Sequence, residues 1–333
     1  MLRNQPKVLL TGAMHPEPLA LIAEQAQVRL ASATDPATLI AEAREADVIV
    51  VRHPLPEALF ETATRLRGTV RHGAGIDMIP LEAATRHGII VANAPSTNAV
   101  TVAEYAAGQM LTLARRLRDI DATLRRDGWA QARTLSDHSH DLAGRTLGLL
   151  GVGAIGSELA RICHAGLRMN VIGYRRSAAA MPAGVAAVGL DALFERADVL
   201  VVCCPLDADT RGLVDRRRIG LMKPGALLIN VARGPIIDEA ALIDALREGR
   251  LGGAALDVFT EQPLDPASEL LQLPNVMLSA HMAGLTPDSM LRMGRVVAMQ
   301  TLQILAGELP THFVNPEARE QIRQRLDSLK ASR

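Results

Sequence analysis

The chain has few aromatic residues and few cysteines, and this limits both its core and its chemistry. Its 333 residues include four Phe, two Tyr, one Trp and three Cys, yet 48% are hydrophobic. The core must therefore be mainly aliphatic, and a chain of this length usually forms two domains. Cys163, Cys203 and Cys204 follow no metal-site or disulfide spacing. We expect buried thiols, no bound metal and a reducing, cytoplasmic location.

The chain also lacks an excess of charge and long apolar runs. Its 36 basic residues balance 36 acidic residues, without a basic block that would attract nucleic acid or an anionic membrane. No apolar run reaches the roughly 18 residues that a membrane span needs. The first residues also lack the apolar core of a signal peptide. The expected partner is a small molecule, with no nucleic acid and no membrane.

Short apolar segments alternate with helical patterns along the whole chain. Ten strands are predicted at 7–11, 47–51, 69–72, 89–92, 145–151, 170–174, 198–203, 226–231, 253–258 and 275–280. Their hydrophobicity is continuous rather than alternating, which is typical of strands covered on both faces. The sequence therefore predicts an α/β protein with doubly wound parallel sheets.

Two long helical segments mark candidate crossing points between domains. Residues 99–126 contain no proline and predict one unbroken helix with several arginines towards its C-terminal part. It is either a core helix with solvated arginines or a helix at a dimer interface. Residues 135–144 form a polar segment that predicts a loop. A second long helix is predicted from about 287 to 306.

A glycine motif, "GVGAIG", directly follows the strand predicted at 145–151. The spacing alone is a weak signal, but a strand before it and a helix after it are what dinucleotide binding needs. The glycines allow a tight turn and close approach of the backbone to a pyrophosphate at the helix N-terminus. The predicted cofactor-binding residues here are Gly151, Gly153, Ala154, Ile155 and Gly156.

The residues after the next strand favour NADP(H) over NAD(H). An NAD-binding chain would carry an acidic residue about 20 positions beyond the glycines. Arg175 stands near that distance, followed by Arg176 and Ser177. Guanidinium groups pair with phosphate oxygens, whereas a carboxylate would repel a 2′-phosphate. The alternative is a solvated, charged turn at the end of a strand.

Several segments occur in the order and spacing of a known family. They are "RTLGLLGVGAIG", "ADVLVVCCPLDADTRGLV", "MKPGALLINVARGPIIDEAAL", "GAALDVF" and "LPNVMLSAHMAG", with "VRHGAGIDMIPLEAATRHGIIVANAPSTNAVTVAEYA" before them and "VNPE" after them. Together they strongly resemble the D-isomer-specific 2-hydroxyacid dehydrogenases, relatives of phosphoglycerate dehydrogenase and glyoxylate/hydroxypyruvate reductase. The resemblance covers nearly the whole chain.

The resemblance implies a discontinuous domain organisation. Residues 1–99 and 289–333 would form a flavodoxin-like substrate domain. Residues 100–288 would form an inserted Rossmann cofactor domain, with the active site in the cleft. Relatives of this kind are usually homodimers through the cofactor domain, so a homodimer is expected.

The resemblance also implies the reaction and its residues. The protein would interconvert a small 2-keto acid and its D-2-hydroxy acid with NAD(P)H. Arg233 would bind the carboxylate and polarise the carbonyl, and His281 would be the general acid/base. The amides of Ala74 and Gly75 would bind the carboxylate, and Arg52, at a strand end, is a further candidate. His53 and His72 are expected to be structural or specificity residues.

Further cofactor contacts follow from the same resemblance. Thr101 would lie near the nicotinamide or phosphate end, Pro205 would line the adenosine pocket and Asp257 would bind the carboxamide. The complete set of these predicted contacts is Thr101, Cys204, Pro205, Thr210, Val231, Ala232, Asp257, His281 and Gly284.

The segment "DVFTEQP" departs from the family pattern D-V-F-x-x-E-P, whose glutamate hydrogen-bonds the catalytic histidine. Gln262 stands at that position, with Glu261 one residue earlier. An amide oxygen can orient an imidazole, but it cannot stabilise imidazolium by charge. We therefore expect the pKa of His281 to lie near the unperturbed value of about 6.5. Gln262 is expected to orient His281 and Glu261 to face solvent, although a one-residue bulge would exchange them.

Two other functions stay open at this point. Formate dehydrogenases of the superfamily, whose reaction needs no proton relay, also carry glutamine here, but this chain is shorter and lacks their N-terminal features. The C-terminal-binding corepressors are non-catalytic, dinucleotide-dependent binding proteins. The presence of both Arg233 and His281 argues against that function, though those corepressors keep similar residues.

Overall fold

The structure, a computed structural model, describes residues 5–177 and 179–331. The strands are β1 (Lys7–Leu10), β2 (Gln27–Leu30), β3 (Val48–Val51), β4 (Gly68–Arg71), β5 (Ile90–Ala92), β6 (Thr146–Leu150), β7 (Asn170–Tyr174), β8 (Val185–Ala187), β9 (Val199–Val202), β10 (Ala226–Asn230), β11 (Leu251–Leu256) and β12 (Val276–Leu278). The α-helices are α1 (Pro16–Ala23), α2 (Pro36–Ala43), α3 (Ala58–Thr62), α4 (Leu81–Arg86), α5 (Ala99–Ala114), α6 (Leu117–Asp127), α7 (Trp129–Thr134), α8 (Ala154–Arg161), α9 (Leu190–Arg196), α10 (Arg216–Leu221), α11 (Glu239–Arg247), α12 (Pro287–Ala306) and α13 (Arg319–Ala331). All pairings between these strands are parallel. The predicted α/β class with doubly wound parallel sheets is confirmed.

The chain divides into two compact units, Met1–Asn98 with Leu285–Arg333, and Ala99–Gly284. The first unit contains a sheet with strand order β2-β1-β3-β4-β5, which is the flavodoxin-like order. The second unit contains a sheet with order β12-β11-β10-β9-β6-β7-β8. Counted within the unit, this is the Rossmann order 3-2-1-4-5-6 with one added strand. The assignment of the units to substrate and cofactor stays a prediction.

The first sheet is buried on both faces by alternate residues of its strands. In β3, Val48 and Val50 belong to one apolar cluster, which includes residues of α12 such as Val297. Ile49 and Val51 belong to the opposite cluster, which includes residues of α2 and α3. Both faces of the strand are therefore covered, which explains its continuous apolar sequence.

Helix α12 has the bounds that the sequence predicts, because both of its ends carry strong local signals. The Thr286 side chain accepts a hydrogen bond from the Ser289 amide at 3.1 Å, and Pro287 occupies the first turn. At the other end, Gly307 has a φ of 82°, a left-handed conformation that glycine adopts without strain. The prediction of a helix over 287–306 is confirmed.

The prediction of one unbroken helix over residues 99–126 is wrong. Arg116 has a φ of 51° and separates α5 from α6. Its guanidinium donates from Nε to Asp119 Oδ2 at 3.2 Å, within the first turn of α6. Helix α5 buries an apolar stripe that includes Val102 and Met110, whereas α6 buries no residue. The burial that stabilises α5 ends at the break, although neither glycine nor proline marks it.

Several smaller elements were not predicted from the sequence, among them two strands and a 3-10 helix. The edge strands β2 and β8 consist mostly of exposed residues, so they lack the continuous apolar pattern of buried strands. Residues Leu135–His138, within the predicted loop, form a 3-10 helix.

Two kinds of feature are absent from residues 5–177 and 179–331. No helix there is long and apolar enough to cross a bilayer. No group of three or more His, Cys, Asp and Glu side chains there could hold a metal ion. The three cysteines are free, and the cytoplasmic location stays a prediction.

Candidate active site

The glycine motif turns directly from β6 into α8. Gly151 has a φ of 101°, and a Cβ there would lie 2.6 Å from the backbone nitrogen of Cys204. A Cβ on Gly156 would lie 2.4 Å from the carbonyl oxygen of Gly151. A Cβ on Gly153, in contrast, would meet no atom of the described residues within 4 Å. The turn needs glycine twice for packing, and at Gly153 it leaves the backbone open to a ligand.

The start of α8 fits a pyrophosphate. Gly153 caps the helix without any side-chain hydrogen bond to its first amides. The predicted contacts Ala154 and Ile155 are the first residues of α8, where backbone N–H groups lack partners inside the helix. Positive partial charge at this end attracts anions. The sheet order reverses between β6 and β9, and such a switch point is where open α/β sheets bind ligands.

Arg175 is anchored beside the glycine turn. Its Nη1 donates to the carbonyl oxygen of Val152 at 3.1 Å, and its Nε donates to Ser177 Oγ at 2.9 Å. The side chain is therefore held at the turn that would carry the pyrophosphate. Its Nη2 contacts no acceptor among the described residues, so the outer side of the fork suits a phosphate oxygen.

Arg176 is in a different situation, because two carboxylates engage it. Its guanidinium pairs with Asp207 and with Asp209, the latter at 2.5 Å. Both acids lie in the loop after β9, in the segment "LDADT". This pairing was not predicted from the sequence, although two acids in a predicted cofactor loop are a usable signal. The pairing offsets the charge of Arg176, whereas no carboxylate among the described residues pairs with Arg175.

The loop after β9 is closed by its own hydrogen bonds. Thr210 is buried, and its Oγ1 donates to the carbonyl oxygen of Pro205 at 2.8 Å and accepts from the Asp207 amide at 2.8 Å. Cys203 Sγ donates to the Gly151 carbonyl oxygen at 2.9 Å. Burial raises the pKa of Cys204 to about 11, so this thiol adds no charge. The Thr210 hydroxyl shapes the loop that the predicted contacts Cys204 and Pro205 belong to.

His281 and Gln262 are in contact. Gln262 Oε1 lies 3.1 Å from His281 Nδ1, and Gln262 Nε2 faces the carbonyl oxygen of Phe259 at 3.5 Å. This second contact points the amide oxygen at the ring. Because that oxygen only accepts, Nδ1 carries the hydrogen of this contact. Glu261 is exposed and makes no hydrogen bond or ion pair with another described residue.

Asp257 holds the turn that carries His281. The carboxylate is 2% exposed; Oδ1 accepts from the Met282 amide at 2.8 Å, and Oδ2 from the Ala283 amide at 2.8 Å. The backbone carbonyl of Asp257 accepts from the His281 amide at 2.8 Å. His281 itself has a φ of 52°, an uncommon conformation for a residue other than glycine. The role of Asp257 towards a carboxamide stays a prediction beside this observed one.

Arg233 follows β10 and is half-buried. The buried side chain of Asn230 closes its turn, because Nδ2 donates to the Arg233 carbonyl oxygen at 3.0 Å and Oδ1 accepts from the Ala232 amide at 3.0 Å. Asn230 is not among the residues predicted from the sequence. The predicted contacts Val231 and Ala232 are both buried in this turn.

The remaining predicted cofactor contacts lie in the second unit. Thr101 is buried in the first turn of α5, and Gly284 is half-buried after the His281 turn. Each makes an interaction within the protein, and their roles towards a cofactor stay predictions.

The predicted substrate contacts Ala74 and Gly75 lie in the first unit, after β4. The Ala74 carbonyl oxygen accepts from Asn93 Nδ2 at 2.7 Å, which fixes the loop. Neither the Ala74 nor the Gly75 amide donates to an acceptor among the described residues. Two adjacent amides without protein partners suit an anion. Arg52 is tied to its own unit, since its Nη1 donates to the Ala13 carbonyl oxygen at 2.5 Å.

His72 and His53 differ in environment. His72 is 4% exposed, and neither of its ring nitrogens has a partner among the described residues. Burial, together with the charges of Arg52 and Arg71, lowers the pKa of His72 to about 3. The ring is therefore neutral at physiological pH and cannot serve as a proton donor. His53 is exposed, and its backbone amide donates to Thr11 Oγ1 at 3.0 Å.

Known proteins are similar to this chain in sequence and fold. Residues 107–283 match the family model "D-isomer specific 2-hydroxyacid dehydrogenase, NAD binding domain". The chain is 37% identical to D-3-phosphoglycerate dehydrogenase of Methanocaldococcus jannaschii over 93% of its length, but spans only 59% of that protein. It is 35% identical to glyoxylate reductase of Aeropyrum pernix, over 94% of this chain and 97% of that one.

A solved structure extends the comparison to three dimensions. The NADPH-dependent glyoxylate/hydroxypyruvate reductase of Sinorhizobium meliloti, in complex with NADP and malonate, is 30% identical to the chain. The match has a TM-score of 0.82 and covers 93% of this chain and 97% of that one. With its nicotinamide-dinucleotide fold and the family model over more than half of its length, the chain belongs to the D-isomer-specific 2-hydroxyacid dehydrogenases.

Proposed function

We propose that the protein interconverts a small 2-keto acid and its D-2-hydroxy acid with a nicotinamide dinucleotide. The observation that carries the proposal is the His281–Gln262 contact of 3.1 Å. It gives one imidazole a defined tautomer in a unit whose glycine turn fits a dinucleotide. A second observation supports it, since Arg233 follows the carboxyl end of β10 and His281 that of β12, with only β11 between the two strands in the sheet.

Each proposed residue has one task in this reaction. The bound nicotinamide supplies or accepts the hydride. Arg233 pairs with the substrate carboxylate and polarises the carbonyl, where negative charge develops during reduction. His281 delivers the proton from Nε2 to the carbonyl oxygen while Gln262 holds Nδ1. The amides of Ala74 and Gly75 donate to the carboxylate.

A panel of keto acids with both cofactors tests the proposal. We expect oxidation of NADPH in the presence of glyoxylate, hydroxypyruvate, pyruvate or a bulkier 2-keto acid. Tight binding of NADPH without turnover of any of them would instead favour a dinucleotide-dependent binding protein. Formate-dependent reduction of the oxidised cofactor would favour the formate dehydrogenase alternative.

We propose NADP(H) as the preferred cofactor. Arg175 supports this preference because its anchored fork lies beside the glycine turn, and no carboxylate pairs with it among the described residues. The relative from Sinorhizobium meliloti, which is NADPH-dependent by name, points in the same direction. The preference is expected to depend on Arg175 rather than on Arg176.

Substitution Gln262→Glu is expected to move the high-pH limb of keto-acid reduction upward by about one pH unit or more. A carboxylate 3 Å from the ring would stabilise imidazolium and raise the pKa of His281. Because reduction needs the protonated ring, activity would persist to higher pH. The measurement is kcat/KM against pH.

Glu261→Gln is the matched control. Because Glu261 is exposed, this substitution is expected to leave the high-pH limb of keto-acid reduction in place. An unmoved limb in Gln262→Glu would show that residue 262 does not set the protonation of His281 during turnover.

We also propose that the protein is a homodimer through its second unit. Helix α6 carries apolar residues on one face but buries none of its residues. Leu117 is 50% exposed, Leu124 is 42% exposed and Trp129, which begins α7, is 71% exposed. An apolar face of this kind is typical of an interface. Sedimentation velocity should give a mass near twice 35.6 kDa, and a monomer at micromolar concentration would contradict the proposal.

A further inference from the structure

A chain of side-chain hydroxyls connects α5 with the His281 turn. Tyr105 Oη lies 2.5 Å from Ser279 Oγ, and Ser279 Oγ lies 2.6 Å from Asp257 Oδ1. Tyr105 is half-buried on α5, and Ser279 lies between β12 and His281. Beyond the Asp257 carboxylate stand the Met282 and Ala283 amides. This hydrogen-bonded path therefore ends on Met282 and Ala283, the two residues that follow His281, the proposed acid/base.

The chemistry of the groups fixes the direction of these hydrogen bonds. The Asp257 carboxylate can only accept, so Ser279 must use its hydroxyl hydrogen on Oδ1. Ser279 Oγ then accepts the hydrogen of Tyr105. Burial raises the pKa of Tyr105 above its ordinary value, so the phenol keeps this hydrogen at neutral pH.

We infer that Tyr105 is a positioning residue for His281, acting through Ser279 and Asp257. The inference rests on the proposed function only where it concerns the reaction. The positive φ of His281, 52°, is a conformation that its surroundings must enforce. Asp257 enforces it by binding the next two amides, and the hydroxyl chain fixes which way the carboxylate faces. Tyr105 anchors that chain to a helix whose neighbouring residues Ala103, Ala106 and Ala107 are buried.

Hydrogen exchange and kinetics on the full-length protein test this relay, by which we mean the hydrogen-bonded path from Tyr105 through Ser279 to Asp257. Tyr105→Phe keeps the ring and removes only the donor. We expect exchange of the Met282 and Ala283 amides to become about fivefold faster. We expect kcat for keto-acid reduction to fall by about five- to tenfold, with a smaller change in KM.

A double-mutant cycle separates a relay from a general loss of packing. Tyr105→Phe and Ser279→Ala break the same chain, so the double variant is expected to match the more affected single variant within about twofold. Tyr174→Phe is the control: the only other tyrosine makes no side-chain hydrogen bond among the described residues, and its loss should leave the exchange of both amides unchanged. Ser279→Thr keeps the hydroxyl, so the Met282 and Ala283 amides should exchange at the wild-type rate in this variant.

Unchanged exchange of both amides in Tyr105→Phe would overturn the inference, as would fully additive effects of the two substitutions. The exchange measurement does not depend on substrate. If the wild-type protein reduces no keto acid, the proposed function fails while coupled exchange still supports the relay. If the protein is active and the exchange is uncoupled, the relay alone fails.

Discussion

Substitution Arg175→Asp is expected to lower the preference for NADPH over NADH by about 100-fold or more. The change removes charge-assisted hydrogen bonds to a 2′-phosphate, which contribute about 1.5–3 kcal/mol each. It also places a carboxylate where it repels the phosphate and can accept from a ribose 2′-hydroxyl. The ratio of kcat/KM values for the two cofactors measures the effect, and dissociation constants give the same ratio without turnover.

Arg176→Gln provides the matched control. Arg176 is paired with Asp207 and Asp209, and exposed ion pairs contribute little to binding or stability. We expect its loss to change the cofactor ratio by less than about fivefold. Retained binding of NADH by Arg175→Asp would show that the glycine turn is intact. An unchanged ratio in Arg175→Asp, or a larger change in Arg176→Gln, would refute the proposed phosphate site.

Substitution Gly234→Ala is expected to lower the thermal midpoint of unfolding by about 6 °C or more, which corresponds to about 3 kcal/mol for a unit of this size. A Cβ on Gly234 would lie 1.9 Å from the carbonyl carbon of Phe259 and 2.3 Å from the backbone nitrogen of Thr260. Because both neighbours are backbone atoms, no rotamer change can relieve the clash. The Arg233 turn and the segment leading to Gln262 would have to separate.

Gly220→Ala is the control for this substitution. Gly220 lies in α10, and a Cβ there would meet no described atom within 4 Å. Alanine favours the helix by up to about 1 kcal/mol over glycine, so this midpoint should stay the same or rise. Differential scanning calorimetry compares the two variants with the wild type. A Gly234→Ala midpoint within about 2 °C of wild type would mean that the close approach of the two segments can relax.

The central strands and the glycine turn could be predicted because their signals are local. β3 and β9 are continuous apolar runs, and "GVGAIG" stands between an apolar strand and a helix. The bounds of α12 were equally readable from Thr286, Pro287 and Gly307. The break at Arg116 was not, because it reflects the end of burial on α5 and carries no breaker residue.

The sequence names candidate residues for the site but not the contacts between them. Glutamine at position 262 was readable, but a one-residue bulge left Glu261 open as the partner of His281 until the structure placed Gln262 Oε1 3.1 Å from His281 Nδ1. The pairing of Arg176 with two acids depends on the course of the loop after β9, which tertiary packing decides. The same holds for Tyr105 and Ser279, which lie 174 positions apart. Spacing in the sequence carries no signal for such a pair.

The packing of α12 and α13 has a consequence for the order of events during synthesis. One face of the first sheet, around Val8, Leu10 and Val70, is covered by residues of these helices such as Val297 and Ile322. The ribosome must translate all of Ala99–Gly284 before it makes them, which takes roughly ten to forty seconds at ordinary elongation rates. At the end of that interval the inserted unit has its complete sequence, whereas the first unit has only helix α1, through residues such as Ile22, on this face of its sheet. A chain truncated after residue 284 should therefore be sensitive to proteases before residue 99 and resistant beyond it.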